Sequence, residues 1–250
     1  KTNAYWESGG LPTKELIARV GQMLQQLIKE GRLLGGDGLR PSAQGVRLTF
    51  EAGSTRVQPG PFAAGNELPA AFSVVRSTLA EAIEWATHRA AVAGDTEVDI
   101  RPMTEPWDLG MQPAPSDPAI RRYMVLSKAT PESEAGASPT AAQRARLAQL
   151  VAEAAASGMH LQSEVMRPSA RGRRYLNARD GISVMDGPFA ETKELLGGFV
   201  IVAADSLDRR REIRGDGQGQ VVEVVSDVGH GHRSVLLLGI GCDEYVDASD

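Results

Sequence analysis

The chain has 250 residues, 42% of them hydrophobic and 24% charged, so it can bury one large core or two ordinary ones. Its net charge of −5 argues against a nucleic-acid-binding protein, because a surface that follows phosphates needs an excess of basic residues. The single cysteine, Cys242, excludes an internal disulfide framework, and no apolar run approaches the roughly 18 residues that a membrane span requires. We therefore expect a cytoplasmic protein that binds neither nucleic acid nor membrane.

An internal repeat organises the sequence. Residues 1–75 align without a gap on residues 128–202, with about 25 identical pairs. The block RPSA at 40–43 falls on 167–170, and the block GPFA at 60–63 falls on 187–190. A register that keeps glycines, prolines and whole blocks aligned predicts a tandem duplication.

The elements of the first copy follow from hydrophobic spacing and turn residues. Apolar residues at helical spacing predict a helix that ends at Gly31. A strand then ends at Arg40, and a hairpin through Gly45 leads to the strand FSVVRS. A second helix from Leu79 to His88 and a last strand from Glu97 to Arg101 complete this copy.

The second copy repeats this order. It opens with a strand at 122–128, and the Pro-Thr pair ending at Thr140 predicts a helix start that Gly158 terminates. A strand ending at Arg167, a hairpin through Gly172 and the strand FVIVAA follow. After Leu207 the second helix is expected to be brief, because its segment is basic and interrupted by glycines.

These elements predict an α+β fold of two tandem ferredoxin-like β-α-β-β-α-β units. We place repeat 1 at 1–106, a linker at 107–119, repeat 2 at 120–228 and a tail at 229–250. Repeat 1 lacks its own first strand, and the tail carries the apolar run 233–240 (RSVLLLGI). We expect this run to fill the empty first-strand position, in cis or from a second chain in a homodimer, because an open sheet edge is costly. The alternative is a frayed extension.

The most distinctive stretch is DGPFAETKELLGGF at 186–199. It forms a polar loop between two strands, where scaffolds commonly present chemistry. The predicted site has Asp186 and Glu191 as catalytic acid or base. The residues predicted to bind a small polar or anionic substrate are Arg167, Arg174, Thr192, Lys193 and Glu194.

A structural interpretation of the same loop stays open. An Asp before Gly-Pro commonly caps its own turn, and the Glu-Thr-Lys-Glu run that follows has the composition of a solvated loop. The first copy has Pro59 in place of Asp186 and keeps only Glu67 of the polar run. Any active site is therefore expected in the second copy.

The DGPF stretch and its surroundings resemble the YCII-related (YciI, "DGPF") family. This resemblance implies that the two units pair as an intramolecular dimeric α+β barrel. It also implies lyase- or isomerase-like acid–base chemistry, as in relatives that use a His–Asp dyad, or a noncatalytic regulatory module associated with sigma-factor systems. The dyad histidine corresponds to Gln143 and Leu16 here, so the dyad is absent from both copies.

Neither a metal nor a cofactor is predicted. His230 and His232, followed by Cys242, are the best metal-ligand candidates, but their spacing favours a turn before the last strand. No phosphate-binding or dinucleotide-binding motif is present. Three functions stay open: a small-molecule enzyme, a binding or regulatory module, and a duplicated scaffold whose pocket has decayed.

Overall fold

The structure of the chain is a computed structural model that describes residues 4–51, 54–63, 69–178, 181–189, 198–203, 221–226 and 234–238. The described part is α+β, with two sheets of six strands each. Its helices are α1 (Ala4–Glu7), α2 (Lys14–Lys29), α3 (Leu79–Ala93), α4 (Pro131–Glu134) and α5 (Ala141–Ala156). Its strands are β1 (Leu33–Gly38), β2 (Val46–Glu51), β3 (Ser54–Pro59), β4 (Pro69–Ser77), β5 (Glu97–Pro102), β6 (Arg121–Lys128), β7 (His160–Val165), β8 (Arg173–Ala178), β9 (Gly181–Asp186), β10 (Gly198–Ala203), β11 (Val221–Ser226) and β12 (Ser234–Leu238).

The chain divides into two compact units, each built around one sheet. The first unit consists of Lys1–Gly38, Ser169–Phe189 and Glu194–Asp250, and the second consists of Leu39–Pro168 and Ala190–Lys193. Both units take segments from both halves of the sequence, so their boundaries do not follow the predicted repeat boundary at 107–119.

The sheet of the second unit has the order β3-β2-β5-β6-β4-β7, with every neighbouring pair antiparallel. Helix α3 packs on β4, β5 and β6, and α5 packs on α3 and β7. Val75, Trp85, Val98 and Ile100 belong to the core between these helices and the sheet. Among the described residues the sheet is open, with β3 and β7 at its edges.

The sheet of the first unit has the order β1-β10-β12-β11-β8-β9, again antiparallel throughout. Helix α2 packs on β1. This sheet is also open in the described part of the chain, with β1 and β9 at its edges. Neither sheet therefore closes on itself into a barrel.

Strands separated by 127 positions occupy corresponding places in the two sheets. β1, β2 and β3 correspond in this way to β7, β8 and β9, and β4 corresponds to β10. A ferredoxin-like unit built from one copy alone would place β1 beside β4 and β7 beside β10, but β7 pairs with β4 and β1 pairs with β10. The tail strand β12 lies between β11 and β10, as β6 lies between β5 and β4.

Local signals located the ends of the helices well. Helix α5 begins after Thr140, whose side chain accepts a hydrogen bond from the Gln143 N–H at 3.2 Å. Helix α3 begins at Leu79 as expected but continues five residues past His88, to Ala93. The expected second helix of the second copy lies outside the described residues.

Candidate functional site

Asp186 lies at the end of an edge strand, in solvent. It is the last residue of β9, and its side chain is 73% exposed. Its Oδ1 accepts a hydrogen bond from Arg173 Nε on β8 at 2.7 Å. The sequence predicts an acid or base at Asp186, and the structure places this carboxylate in an exposed ion pair, because β9 has no neighbour beyond it among the described strands.

The Gly-Pro-Phe segment that follows is fastened to the turn at Ser169–Arg171. A Cβ on Gly187 would lie 1.8 Å from the Ser169 carbonyl oxygen, so only glycine fits there. The Phe189 N–H donates to Ser169 Oγ at 3.0 Å, and the Phe189 side chain is buried. Arg174 lies over the Phe189 ring with its Cζ 4.5 Å from the centroid.

The second unit contains the same arrangement 127 residues earlier. A Cβ on Gly60 would lie 1.8 Å from the Ser42 carbonyl oxygen, and the Arg47 Cζ lies 4.4 Å from the centroid of the buried Phe62 ring. The Gly-Pro bond is cis in both segments. Because Pro59 stands where the other unit has Asp186, this turn forms without an acidic residue.

The second unit also carries a buried ionic cluster that the sequence analysis missed. Asp99 accepts hydrogen bonds from Arg47 Nε at 2.7 Å and Arg47 Nη2 at 2.9 Å, and its Oδ2 lies 2.9 Å from Lys128 Nζ. Asp99 and Lys128 are only 1% and 3% exposed. Glu97 lies 3.5 Å from Arg47 Nε, and Arg47 Nη1 also donates to the Ala63 carbonyl.

Electrostatics keeps the Asp99 carboxylate ionised. Burial alone would raise the pKa of Asp99 because it disfavours the charged form. The hydrogen bonds from Arg47 and the charges of Lys128 and Arg47 outweigh burial, and they hold this pKa below its ordinary value. A carboxylate held in this way is a weak base, so the cluster suits electrostatic positioning better than proton transfer.

The cluster lies on the sheet face opposite the helices. Successive side chains of a strand alternate between faces. Val98 and Ile100 belong to the core beneath α3, so Asp99 between them faces the other way. The same alternation places charged residues from three strands on this second face: Arg47, Glu97, Asp99, Arg101 and Lys128.

The sequence does contain a pattern that indicates a charged face on β5. Glu97, Asp99 and Arg101 alternate with Val98 and Ile100, and Arg47 aligns with Arg174 in the internal repeat. The alternation of charged and apolar residues does not show whether the charged face of the strand is exposed to solvent or buried. In the first unit Glu223 is the backbone partner of Arg174, the position that Asp99 has opposite Arg47.

The other predicted site residues are placed as follows. Arg167 is exposed and belongs to the second unit, beyond the end of β7. The remaining predicted contributors, like the candidate metal ligands of the tail, lie outside the described residues: Glu191, Thr192, Lys193, Glu194, His230, His232 and Cys242. In the described ranges no group of three or more His, Cys, Asp or Glu residues could hold a metal ion.

Part of the chain matches a known family. The model of the YCII-related domain matches residues 121–217. No curated protein and no solved structure matches the chain. The matched segment runs from β6 in the second unit to β10 in the first. No helix in the described part of the chain is long and apolar enough to cross a membrane.

Proposed function

Because residues 121–217 match the model of the YCII-related domain, we propose that the chain is a tandem YCII-type protein that binds a small anionic molecule at Arg173, beside its DGPF loop. In this proposal repeats 1–106 and 120–228 complete each other's sheets. The 127-residue correspondence of the strands supports it, as does the family match, which spans segments of both units.

The observation that carries ligand binding is the exposed Arg173–Asp186 pair. Arg173 binds a carboxylate in solvent, where an ion pair contributes only about 0–1 kcal/mol. A carboxylate or phosphate on a ligand can therefore replace Asp186 on Arg173 at little cost. Arg174, the next residue on β8, faces the other side of the sheet, where its guanidinium lies over the Phe189 ring.

The remaining predicted residues are not needed for this proposal. Arg167, Thr192, Lys193 and Glu194 remain predicted contributors, and the site proposed here rests on Arg173 and Asp186 alone. Acid–base chemistry by Asp186 or Glu191 is the alternative use of the same loop. A noncatalytic regulatory module would bind the anion without converting it.

The test is a titration of the full chain with inorganic phosphate, acetate and malonate at low ionic strength, monitored by calorimetry. Arg173→Ala should weaken binding by about tenfold, because one charge-assisted contact is lost. Asp186→Asn should leave binding intact or strengthen it by up to about fivefold, since it removes the competing carboxylate. Arg146→Ala on helix α5, an exposed arginine with no ion pair among the described residues, is the matched control.

Anion binding that Arg173→Ala leaves unchanged would contradict the proposal. If Asp186→Asn instead abolishes a measured conversion while anion binding persists, acid–base chemistry at Asp186 is the better account. Binding by both variants without conversion of any ligand would favour the regulatory module.

A further inference from the structure

A β-bulge in strand β7 of the second unit brings a histidine and a serine to the same face of the sheet. The pairing of β7 with β4 shifts by one residue between Val74 and Val75, which makes Leu161 an extra residue. In a regular strand, residues three positions apart point to opposite faces. The bulge reverses the alternation once, so the side chains of His160 and Ser163 can meet.

The side chains of His160, Ser163 and Ser73 form a short hydrogen-bonded chain. His160 Nε2 lies 2.6 Å from Ser163 Oγ, and Ser163 Oγ lies 2.7 Å from Ser73 Oγ on β4. Ser73 is two residues before Val75, which belongs to the core under α3, so the chain lies on the helix side of the sheet. The Trp85 ring of α3, with its centroid 6.3 Å from that of the His160 ring, lies on the same side.

The burial of Ser73 fixes the direction of these hydrogen bonds. Ser73 is 1% exposed, and its side chain has no other hydrogen bond among the described residues. A buried hydroxyl hydrogen needs an acceptor, so the Ser73 hydroxyl donates to Ser163 Oγ. The Ser163 hydroxyl then donates to His160 Nε2, which accepts as the unprotonated nitrogen of a neutral imidazole. The proton of Ser163 is therefore directed at a base.

The neutral form of His160 is favoured by its surroundings. Burial lowers the pKa of this imidazole below its ordinary value, because it disfavours the charged form. The described part of the chain places no carboxylate against the ring. An imidazole that is neutral at neutral pH can take the proton of a hydroxyl group that attacks an electrophile.

This pair can be reached from solvent. Strand β7 is at the edge of its sheet in the described ranges, and the side chains of His160 and Ser163 are both partly exposed. Leu161 between them is 42% exposed. Ser73 is buried, so Ser163 carries the hydroxyl of the chain that an added reagent can reach.

We propose that Ser163 is a nucleophile that accepts an acyl group from an activated ester of a small carboxylic acid, with His160 as its general base. Ser163 Oγ forms a bond to the carbonyl carbon while its hydrogen passes to His160 Nε2. The ester C–O bond breaks, and the departing oxygen takes that hydrogen, which leaves acyl-Ser163, an alcohol and a neutral imidazole. Water then attacks the acyl group by the same route and releases the acid. This site is separate from Arg173, which belongs to the first unit.

The test treats the full chain with an alkyl fluorophosphonate, which phosphonylates nucleophilic serines with loss of fluoride. Peptide mass spectrometry then locates the label. A parallel reaction with p-nitrophenyl acetate measures how fast Ser163 is acetylated. The variants are Ser163→Ala, His160→Gln and the matched control Ser116→Ala, which alters an exposed serine ahead of β6. Melting temperatures are measured for each variant.

Both reagents should modify Ser163 in the parent protein and leave Ser116 unmodified. Ser163→Ala should carry no label, and Ser116→Ala should react like the parent. His160→Gln should slow the modification of Ser163 by about 100-fold, because a general base contributes at least that factor. An unmodified Ser163 in the parent protein, equal modification of Ser116 and Ser163, or an unchanged rate in His160→Gln would overturn the proposal. The result on the parent protein decides even if a variant melts at a lower temperature.

Discussion

Replacing Asp99 with Asn should destabilise the protein strongly. The Asp99 carboxylate accepts two hydrogen bonds from Arg47 and lies 2.9 Å from Lys128 Nζ, at 1% exposure. Asn keeps the shape but removes the negative charge, which leaves two buried cations beside a neutral amide. Breaking a buried ion pair from one side costs about 3–5 kcal/mol. That is a large share of the roughly 5–15 kcal/mol by which domains are stable.

Asp186→Asn is the matched control, because it makes the same chemical change at the other Asp–Arg pair. Asp186 is 73% exposed, and exposed pairs contribute about 0–1 kcal/mol. A second control replaces Arg47, Asp99 and Lys128 together with Met, Leu and Met. If the cost of Asp99→Asn comes from unpaired charge, this triple variant should recover a substantial part of it, since apolar residues of similar volume leave no charge buried.

The assay is urea unfolding followed by tryptophan fluorescence, with Trp85 and Trp107 reporting on the second unit. The pH dependence gives a second readout. Because the folded-state pKa of Asp99 lies below its ordinary value, its contribution to stability is present above about pH 4 and is lost as the pH falls through the folded pKa. Asp99→Asn should lack that acid-induced loss. A destabilisation under about 1 kcal/mol at neutral pH, equal to that of Asp186→Asn, would refute the cluster's structural role.

Three further predictions concern stability. Gly187→Ala should cost about 1–3 kcal/mol in urea unfolding, because the added Cβ would lie 1.8 Å from the Ser169 carbonyl, and an effect within error would contradict that close approach. Burial lowers the pKa of His160, so the free energy of unfolding should fall as the pH drops below about 6.5, and His160→Gln should flatten melting temperatures between about pH 5 and 7. Thr78→Ala should cost about 1 kcal/mol in thermal unfolding by removing the cap that pairs with Glu81, and Thr78→Ser should restore it.

Local sequence signals predicted the helices and strands, but they did not predict which strands pair. Thr140 marks the start of α5 because a capping side chain acts on residues three positions away. The pairing of β7 with β4 depends on segments about 90 residues apart, as in the hydrogen bond between Ser73 and Ser163. No local rule chooses between two possible partner strands of similar composition. The sequence alone therefore does not show that β7 pairs with β4 of the other copy.

The site was predicted unevenly for a related reason. Sequence identifies Asp186 as an acidic residue before a turn, but exposure depends on whether another strand covers β9. Asp99 lies between two apolar residues in a short strand, and alternation alone does not reveal that the polar face is buried. The ionic cluster forms because β2, β5 and β6 are neighbours in the sheet, which brings Arg47, Asp99 and Lys128 together.

Comparing the two Gly-Pro-Phe turns distinguishes the residues needed for folding from the acidic residue that precedes only one of them. Both keep a glycine against a carbonyl and an arginine over a buried phenylalanine, while Pro59 replaces Asp186 in the second unit. Substituting Gly187 or Phe189 would therefore disturb folding, and a resulting loss of binding or activity would say nothing about chemistry. Asp186 is exposed and its replacement should leave the turn intact, so Asp186→Asn is the variant whose effect on a ligand can be interpreted.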